Sequence, residues 1–174
     1  TQTISHINNE QKYTLLGADI SCNLGSINID NMMHTPDFAQ SIEAMTRALT
    51  FVSESSDISV VPSVQNGNQQ KHAIGLGAMG LAAFLAKNKI YYGDDIALDF
   101  VNTFFLMTNY YTLLASNKIA KERKQTFFEF EKSDYANGSY FDKYLAKDWG
   151  PKTEKVKNLF TNYHIPTIAA VPYT

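Results

Sequence analysis

The sequence has a single cysteine, Cys22, and therefore cannot form a disulfide within itself. The four histidines show no paired ligand spacing and no accompanying cysteines, so nothing supports a metal site. Charge of one sign is also scarce, because 15 basic and 17 acidic residues leave a net charge of −2 without a charged block. Every apolar run is shorter than the roughly 20 residues that span a bilayer, and the polar start TQTISHINNEQK differs from a signal peptide. We expect no nucleic-acid partner, no membrane partner and a cytoplasmic location.

What the sequence does contain is typical of a globular protein. Its 174 residues are 44% hydrophobic and include 11 Phe and 10 Tyr, enough for one core rich in aromatic rings. No internal repeat and no linker rich in Pro, Gly or Ser divides it. We predict a single piece over residues 1–174, without an internal domain boundary.

The first part of the sequence predicts a strand. The opening twelve residues are polar and predict irregular structure, whereas YTLLGADISCNLGSINID has the short apolar bursts and bounding glycines of a buried strand or loop. Ile20, Cys22 and Leu24 alternate, so an extended backbone would place them on one face.

Helical patterns follow over most of the remaining sequence. Thr35, Pro36 and Asp37 serve as cap, first-turn proline and first-turn acid before FAQSIEAMTRALTFVSES. Further helices are predicted over residues 69–88, over 94–124 with Asp94 and Asp95 at the positive helix N-terminus, and over 139–148 and 152–163. The ending IPTIAAVPYT is again extended, so the fold class is α/β, mostly helical with a strand near each end.

The segment GLGAMG, residues 75–80, fits the pattern G-x-G-x-x-G, with Asp94 or Asp95 at the distance of a ribose-binding acid. A dinucleotide site would require a buried parallel strand leading into the first glycine, whereas NGNQQKHAI precedes it. The alternative is a smooth helix face, made by these glycines and neighbouring alanines, on which another element packs closely. This second interpretation is favoured, and an NAD(P)-dependent dehydrogenase is the less favoured one.

The residues around Cys22 do not by themselves decide its role. A lone cysteine is most often a small buried hydrophobic residue. Asp19, Ser21 and Asn23 make its surroundings more polar than a plain core strand, and Gly25 allows close backbone approach. His72 and His164 lack an identifiable orienting partner, and no role is assigned to them.

The segment ADISCNLGSINI closely resembles the large subunit of bacterial class Ib ribonucleotide reductases, which has Asp-Ile-Ser-Cys-Asn-Leu-Gly-Ser here. SDISVVPS, GNQQKHAIGLGAMGL, IYYGDD, ASNKIAKERKQTFFEFEKSDYANGSYFDKY and HIPT resemble successive segments of that family, in its order. The resemblance covers nearly the whole chain. It implies a segment of a ten-stranded α/β barrel, with barrel strands near residues 18–29 and 168–173 and the helices packed outside.

The resemblance also implies roles for particular residues. Cys22 would be one of two cysteines that reduce the substrate ribose and become a redox-active disulfide, its partner lying outside this sequence. Tyr173 and Thr174 would begin the loop that binds the substrate diphosphate, although Tyr173 stands where the family commonly has proline. The radical-bearing Asn-x-Cys-x-Glu loop is expected just before Thr1, and a stretch after Thr167 is shorter than in the family. We therefore expect a fragment that is inactive alone.

The activity implied is reduction of ribonucleoside diphosphates to deoxyribonucleotides, for DNA replication. The implied partners are a radical-generating small subunit, which holds the radical metal cofactor, and a glutaredoxin-like or thioredoxin reductant. Nucleotide effectors would bind at allosteric sites outside this segment, and this segment itself would bind no cofactor. The alternative from another class is a non-catalytic helical scaffold or remnant.

Overall fold

The computed structural model describes residues 6–7, 13–15, 18–146 and 148–166. Four strands are present in these ranges: β1 (His6–Ile7), β2 (Tyr13–Leu15), β3 (Asn23–Asn28) and β4 (Ile74–Met79). The helices are α1 (Ile29–Met32), α2 (Phe38–Ser55), α3 (Pro62–Lys71), α4 (Leu81–Lys87), α5 (Asp95–Arg123), α6 (Asp134–Asn137), α7 (Asp142–Leu145) and α8 (Glu154–Leu159), with 3-10 turns at Phe130–Lys132 and Ser139–Phe141. This architecture is mostly helical with short sheets, in agreement with the predicted α/β class.

The centre of the fold is a parallel pair of strands. β3 and β4 pair in register from Asn23 with Ile74 to Asn28 with Met79. Parallel strands require a long crossover, and here α1, α2 and α3 supply it. The predicted strand over residues 18–29 is therefore confirmed in its second half, whereas residues 18–22 have no regular structure.

The predicted helix over FAQSIEAMTRALTFVSES is confirmed as α2. Its cap is Asp37 rather than Thr35, because the Asp37 carboxylate accepts a hydrogen bond from the backbone N–H of Gln40 at 2.8 Å. The apolar side chains Phe38, Ile42 and Leu49 are buried along one face. That face lies against the strand pair and α5.

The long predicted helix is confirmed as α5, with 29 residues. The Asp94 side chain accepts from the backbone N–H of Ala97 at 2.7 Å, and Lys124 ends the helix in the left-handed conformation. Phe100 and Phe104 are fully buried, and the Phe100 ring stacks on Phe84 with centroids 4.7 Å apart. Burying each ring stabilises the fold by about 1.5–3 kcal/mol, so α5 supplies a large part of the core's stability.

The predicted helix over residues 69–88 is wrong. α3 ends where His72 adopts a left-handed conformation (φ 44°), a strand follows, and the short helix α4 begins only at Leu81. Leu76 and Ala78 pack against the core while Gly77 between them is exposed, which is the two-residue period of a strand. The two glycines disfavour a helix, and the backbone N–H and C=O groups of this segment form hydrogen bonds with β3 rather than within a helix.

The presence of a strand here contradicts both interpretations of GLGAMG, the helix face and the dinucleotide site. The glycines do not form a helix face, because Gly75 and Gly77 lie in β4 and Gly80 precedes α4 in a left-handed conformation. The dinucleotide-site interpretation is wrong as well, since that motif requires its glycines in the turn after a strand, and here Gly75 and Gly77 belong to the strand itself.

Smaller differences concern the two ends. The opening residues were expected to be irregular, yet β1 pairs with β2 in an antiparallel arrangement. The two C-terminal helices are shorter than expected, with α7 inside residues 139–148 and α8 inside 152–163. The expected strand over residues 168–173 lies outside the described residues.

Two polar contacts fasten the helices to one another. Buried Asp99 of α5 accepts hydrogen bonds from the backbone N–H groups of Lys152 and Thr153 at 2.9 and 2.7 Å, which holds the start of α8. Arg47 of α2 donates two hydrogen bonds to Glu122 of α5, at 2.8 and 2.7 Å. Charge-assisted and bidentate bonds of this kind are the stronger ones in proteins.

Candidate active site around Cys22

Cys22 lies immediately before β3 and its side chain is exposed. The interpretation of a buried hydrophobic cysteine is therefore wrong. Leu24 is 79% exposed and Ile20 57% exposed. This agrees with the alternation predicted for the three residues and places the thiol on an open face.

The opposite face of β3 is covered. A Cβ placed at Gly25 would lie 3.3 Å from Met45 and Leu49 of α2, so this helix approaches the strand closely there. Ile27, two residues further on, is buried in the core. The strand pair thus has one face packed on helices and one open face, and Cys22 belongs to the open one.

Strand β4 provides the neighbours of Cys22 on the open face. The backbone N–H of Asn23 donates to the carbonyl of Ala73 at 3.3 Å, which fixes the start of β4 beside the cysteine. Gly75 lies next to Cys22 and Leu24, because a Cβ placed on it would be 3.3 Å from Cys22 Sγ and 2.7 Å from Leu24 Cδ2.

Helix α3 supports the residues that precede the cysteine. The Asp19 backbone N–H donates to the carbonyl of Ser63 at 3.0 Å, and the Ser63 hydroxyl donates to the Asp19 carboxylate at 3.0 Å. Gly67 comes so close that an added Cβ would lie 1.7 Å from the Asp19 carbonyl oxygen. These contacts hold a segment without regular structure in a defined position.

A polar cluster of Ser53, Asn68 and His72 joins α2 to α3. Ser53 is fully buried; its hydroxyl donates to Asn68 Oδ1 at 2.8 Å and lies 3.2 Å from His72 Nδ1, and its carbonyl accepts from Asn68 Nδ2. A fully buried hydroxyl has no access to a substrate, so this cluster has a structural role. It fixes the turn at His72 from which β4 departs.

Sequence reasoning missed this cluster. The signal available was the four-residue spacing of Asn68 and His72, which places both on one face of a helix. Their partner Ser53 lies on a different helix, and its position could not be derived from spacing. His164, the other histidine considered, is exposed, and its backbone carbonyl accepts from the Tyr111 hydroxyl at 3.1 Å.

The sequence model of the family described as "Ribonucleotide reductase, barrel domain" matches residues 4–168. The chain belongs to this family. The match includes Cys22, all of the β3–β4 pair and the helices around it, so the architecture described above is a part of that barrel domain.

Curated relatives agree with this assignment. The chain is 49% identical to the ribonucleoside-diphosphate reductase subunit alpha of Bacillus subtilis (strain 168) over 152 residues, which is 87% of the chain and 22% of that protein. It is 44% identical to the subunit alpha of Mycoplasma pneumoniae over 167 residues, 94% of the chain and 23% of that protein. The Helicobacter pylori subunit alpha is 31% identical over 171 residues. The chain thus spans about a fifth of the length of these relatives.

Other expectations for this ribonucleotide reductase segment concern the remaining sites. Tyr173 and Thr174, expected at the diphosphate loop, lie outside the described residues. Within the described ranges, no group of three or more His, Cys, Asp or Glu side chains is placed to hold a metal ion. None of the helices in those ranges is long and apolar enough to cross a membrane.

Proposed function

We propose that the chain is a part of a ribonucleoside-diphosphate reductase α subunit and that Cys22 is one of its two reductant cysteines. The observation that carries the proposal is the exposed thiol on the open face of the β3–β4 pair, inside the region that matches the family. A substrate or a second thiol can reach such a sulfur, whereas a cysteine packed in the core would be inert.

The chemistry requires two thiols. Two S–H groups reduce the ribose C–OH to C–H, release the oxygen as water and become joined as one S–S bond. The two electrons that the thiols lose are the two that the sugar gains. A dithiol reductant of the glutaredoxin or thioredoxin type then reopens the S–S bond by thiol exchange and is itself oxidised to a disulfide.

The partner cysteine has to approach Cys22 from the open face. The two Cα atoms of a disulfide lie roughly 4.4–6.8 Å apart, so the second cysteine belongs to an element that stands directly against the β3–β4 pair. In a ten-stranded α/β barrel, the face opposite the helices is turned inward, and residues from distant strands meet there. The parallel pairing of β3 and β4, with α2 on the outer face, supports this placement.

The remaining parts of the proposal follow from the resemblance. The substrates are ribonucleoside diphosphates, with Tyr173 and Thr174 at the start of the diphosphate loop. The radical is supplied by a small subunit that carries the metal cofactor, and nucleotide effectors bind at allosteric sites elsewhere. The enzyme serves deoxyribonucleotide synthesis for DNA replication in the cytoplasm. Residues 1–174 form one segment of the catalytic barrel and are inactive alone.

The test is Cys22→Ser in a full-length α subunit that carries this sequence, assayed with its small subunit and its dithiol reductant. We expect multiple turnover to be lost, because serine cannot form the S–S bond, while binding of the ribonucleoside diphosphate is retained. A Cys22→Ser, Ser55→Cys double variant is the matched control. It restores the number of thiols at an exposed position on α2 and is expected to remain inactive.

Steady-state turnover of the Cys22→Ser variant at the wild-type rate would contradict the proposed role of the thiol. It would favour the alternative of a helical scaffold without chemistry of its own.

A further inference from the structure

Gly75 and Gly77 lie on the same strand and point to the same open face as Cys22, but their surroundings differ. A Cβ at Gly75 would lie 3.3 Å from Cys22 Sγ and 2.7 Å from Leu24 Cδ2. A Cβ at Gly77 would meet Ser26 Oγ and the Gly25 carbonyl oxygen, both at 3.8 Å, which is ordinary van der Waals contact. Only the first glycine leaves room that a side chain would take from the thiol.

The backbone does not require glycine at position 75. Among the glycines that the structure describes, those with positive φ are Gly80, Gly93 and Gly138, so Gly75 has a conformation open to any residue. Glycine inside a strand is unfavourable and often marks a place where another group approaches closely. The group that approaches Gly75 and bears chemistry is the Cys22 sulfur.

We propose that Gly75 is a positioning residue that keeps free the space in which the Cys22 thiol turns between its reduced and disulfide-bonded positions. This inference rests on the proposed function of Cys22. A disulfide requires an S–S distance near 2.05 Å and a dihedral angle near 90° about that bond, so the sulfur has to reach one defined position. A methyl group already 3.3 Å from the sulfur would restrict the rotation of its side chain, since unstrained contacts begin at about 3.5 Å.

The Gly75→Ala variant is expected to fold. Its shortest contact is with the far end of the Leu24 side chain, a flexible group that can change rotamer without moving the backbone. The contact with Cys22 remains after Leu24 has moved. The substitution therefore acts on the thiol and leaves the register of β3 and β4 intact.

The test compares Gly75→Ala with Gly77→Ala in a full-length α subunit assayed with its small subunit and a dithiol reductant. For Gly75→Ala we expect kcat to fall by about tenfold to a hundredfold, as a displacement of up to about one ångström can do at a reacting group, with KM for the ribonucleoside diphosphate little changed. The rate at which iodoacetamide alkylates Cys22, followed by peptide mass spectrometry, should fall as well. Gly77→Ala is expected to match the wild type in both measurements.

A Gly75→Ala, Leu24→Ala double variant separates the thiol from the leucine and guards against a folding defect. It removes the 2.7 Å contact and keeps the one with Cys22, so it should fold and keep the low kcat. Wild-type kcat in the double variant would overturn the inference, as would equal kcat in the two alanine variants. If Cys22→Ser itself turns over normally, the proposed function fails. If Cys22→Ser is inactive and Gly75→Ala is normal, only the role of Gly75 fails.

Discussion

Gly67 lies inside α3, where replacement of glycine by alanine would ordinarily stabilise a helix by about 1 kcal/mol. The opposite is expected here, because the new Cβ would lie 1.7 Å from the Asp19 carbonyl oxygen, and backbone rather than a flexible side chain must move. We predict that Gly67→Ala lowers the free energy of unfolding by about 1–3 kcal/mol. Urea unfolding followed by circular dichroism measures this change.

Gln69 is the matched control, since it is exposed on the same helix. Gln69→Ala should leave stability within about 0.5 kcal/mol of the wild type. A stabilised Gly67→Ala variant would mean that α3 does not press against the Asp19 backbone.

Residues whose effect is local were predictable from the sequence. Asp94 was expected at a helix N-terminus and caps α5, because capping depends only on the next three residues. Gly67 and Ser53 were not identified. Their partners, Asp19 and His72, are distant in the sequence, so their role depends on how α2 and α3 pack.

At the scale of elements, α2 and α5 are joined by an ion-pair cluster of Glu43, Arg47, Lys118 and Glu122. Hydrogen bonds from Lys118 and then from Arg47 lower the pKa of Glu43 below its ordinary 4.5. The Arg47 guanidinium likewise lowers the pKa of Glu122. A carboxylate whose pKa is lower in the folded state contributes stability above its unfolded pKa, and this contribution is lost as the pH falls.

We therefore predict that Arg47→Met reduces the acid sensitivity of the fold. Between about pH 5 and pH 3 the free energy of unfolding should fall less steeply in this variant than in the wild type. Because these side chains are partly exposed, 0.5 M salt should shrink the difference. Urea unfolding at a series of pH values provides the measurement.

Lys132→Met is the matched control for this cluster. It removes an exposed pair with Glu129, three residues away, that joins no two helices. It should change the pH dependence less than Arg47→Met. If the free energy of unfolding depends on pH equally in the two variants, the ion pairs between α2 and α5 contribute no more than an ordinary surface ion pair.

The long elements were predictable and the strand β4 was not. The sequences of α2 and α5 carry their own caps and apolar faces, so period and capping were sufficient. The β4 sequence IGLGAM contains Ala, Leu and Met, which favour helix, and glycines, which favour neither state. Pairing with β3 decides its conformation, and this contact is outside any local window.

At the scale of the whole molecule, one face of the β3–β4 pair has no described element packed against it. In the described part of the chain, β3 and β4 pair only with each other; Leu24 is exposed near Cys22, and Met79 is exposed at the other end of β4. Exposed strand edges and apolar patches promote association between copies of a chain. The sequence predicted Cys22 inside a strand, whereas β3 begins one residue after it, and the openness of this face depends on the packing of α2.

We predict that the 174-residue chain, expressed by itself, self-associates and that Leu24→Lys weakens this association. The lysine places a charge on the open face without filling the core. Sedimentation velocity over a range of concentrations, with reductant to prevent disulfides, should show a smaller weight-average sedimentation coefficient for the variant.

Val60→Lys is the control. Val60 is 90% exposed, in the connection between α2 and α3 rather than on the strand pair. If this variant reduces association as much as Leu24→Lys, general surface hydrophobicity rather than the open face is responsible.

The parallel pairing of β3 with β4 also has a consequence in time. While the chain is being synthesised, β3 (Asn23–Asn28) cannot pair until the ribosome has added the whole crossover and then β4 (Ile74–Met79). At about 5–20 residues per second this interval is about 3–10 seconds. During that interval the backbone N–H and C=O groups of Asn23–Asn28 have no strand to pair with, so the speed of translation sets how long this segment can pair with a wrong partner.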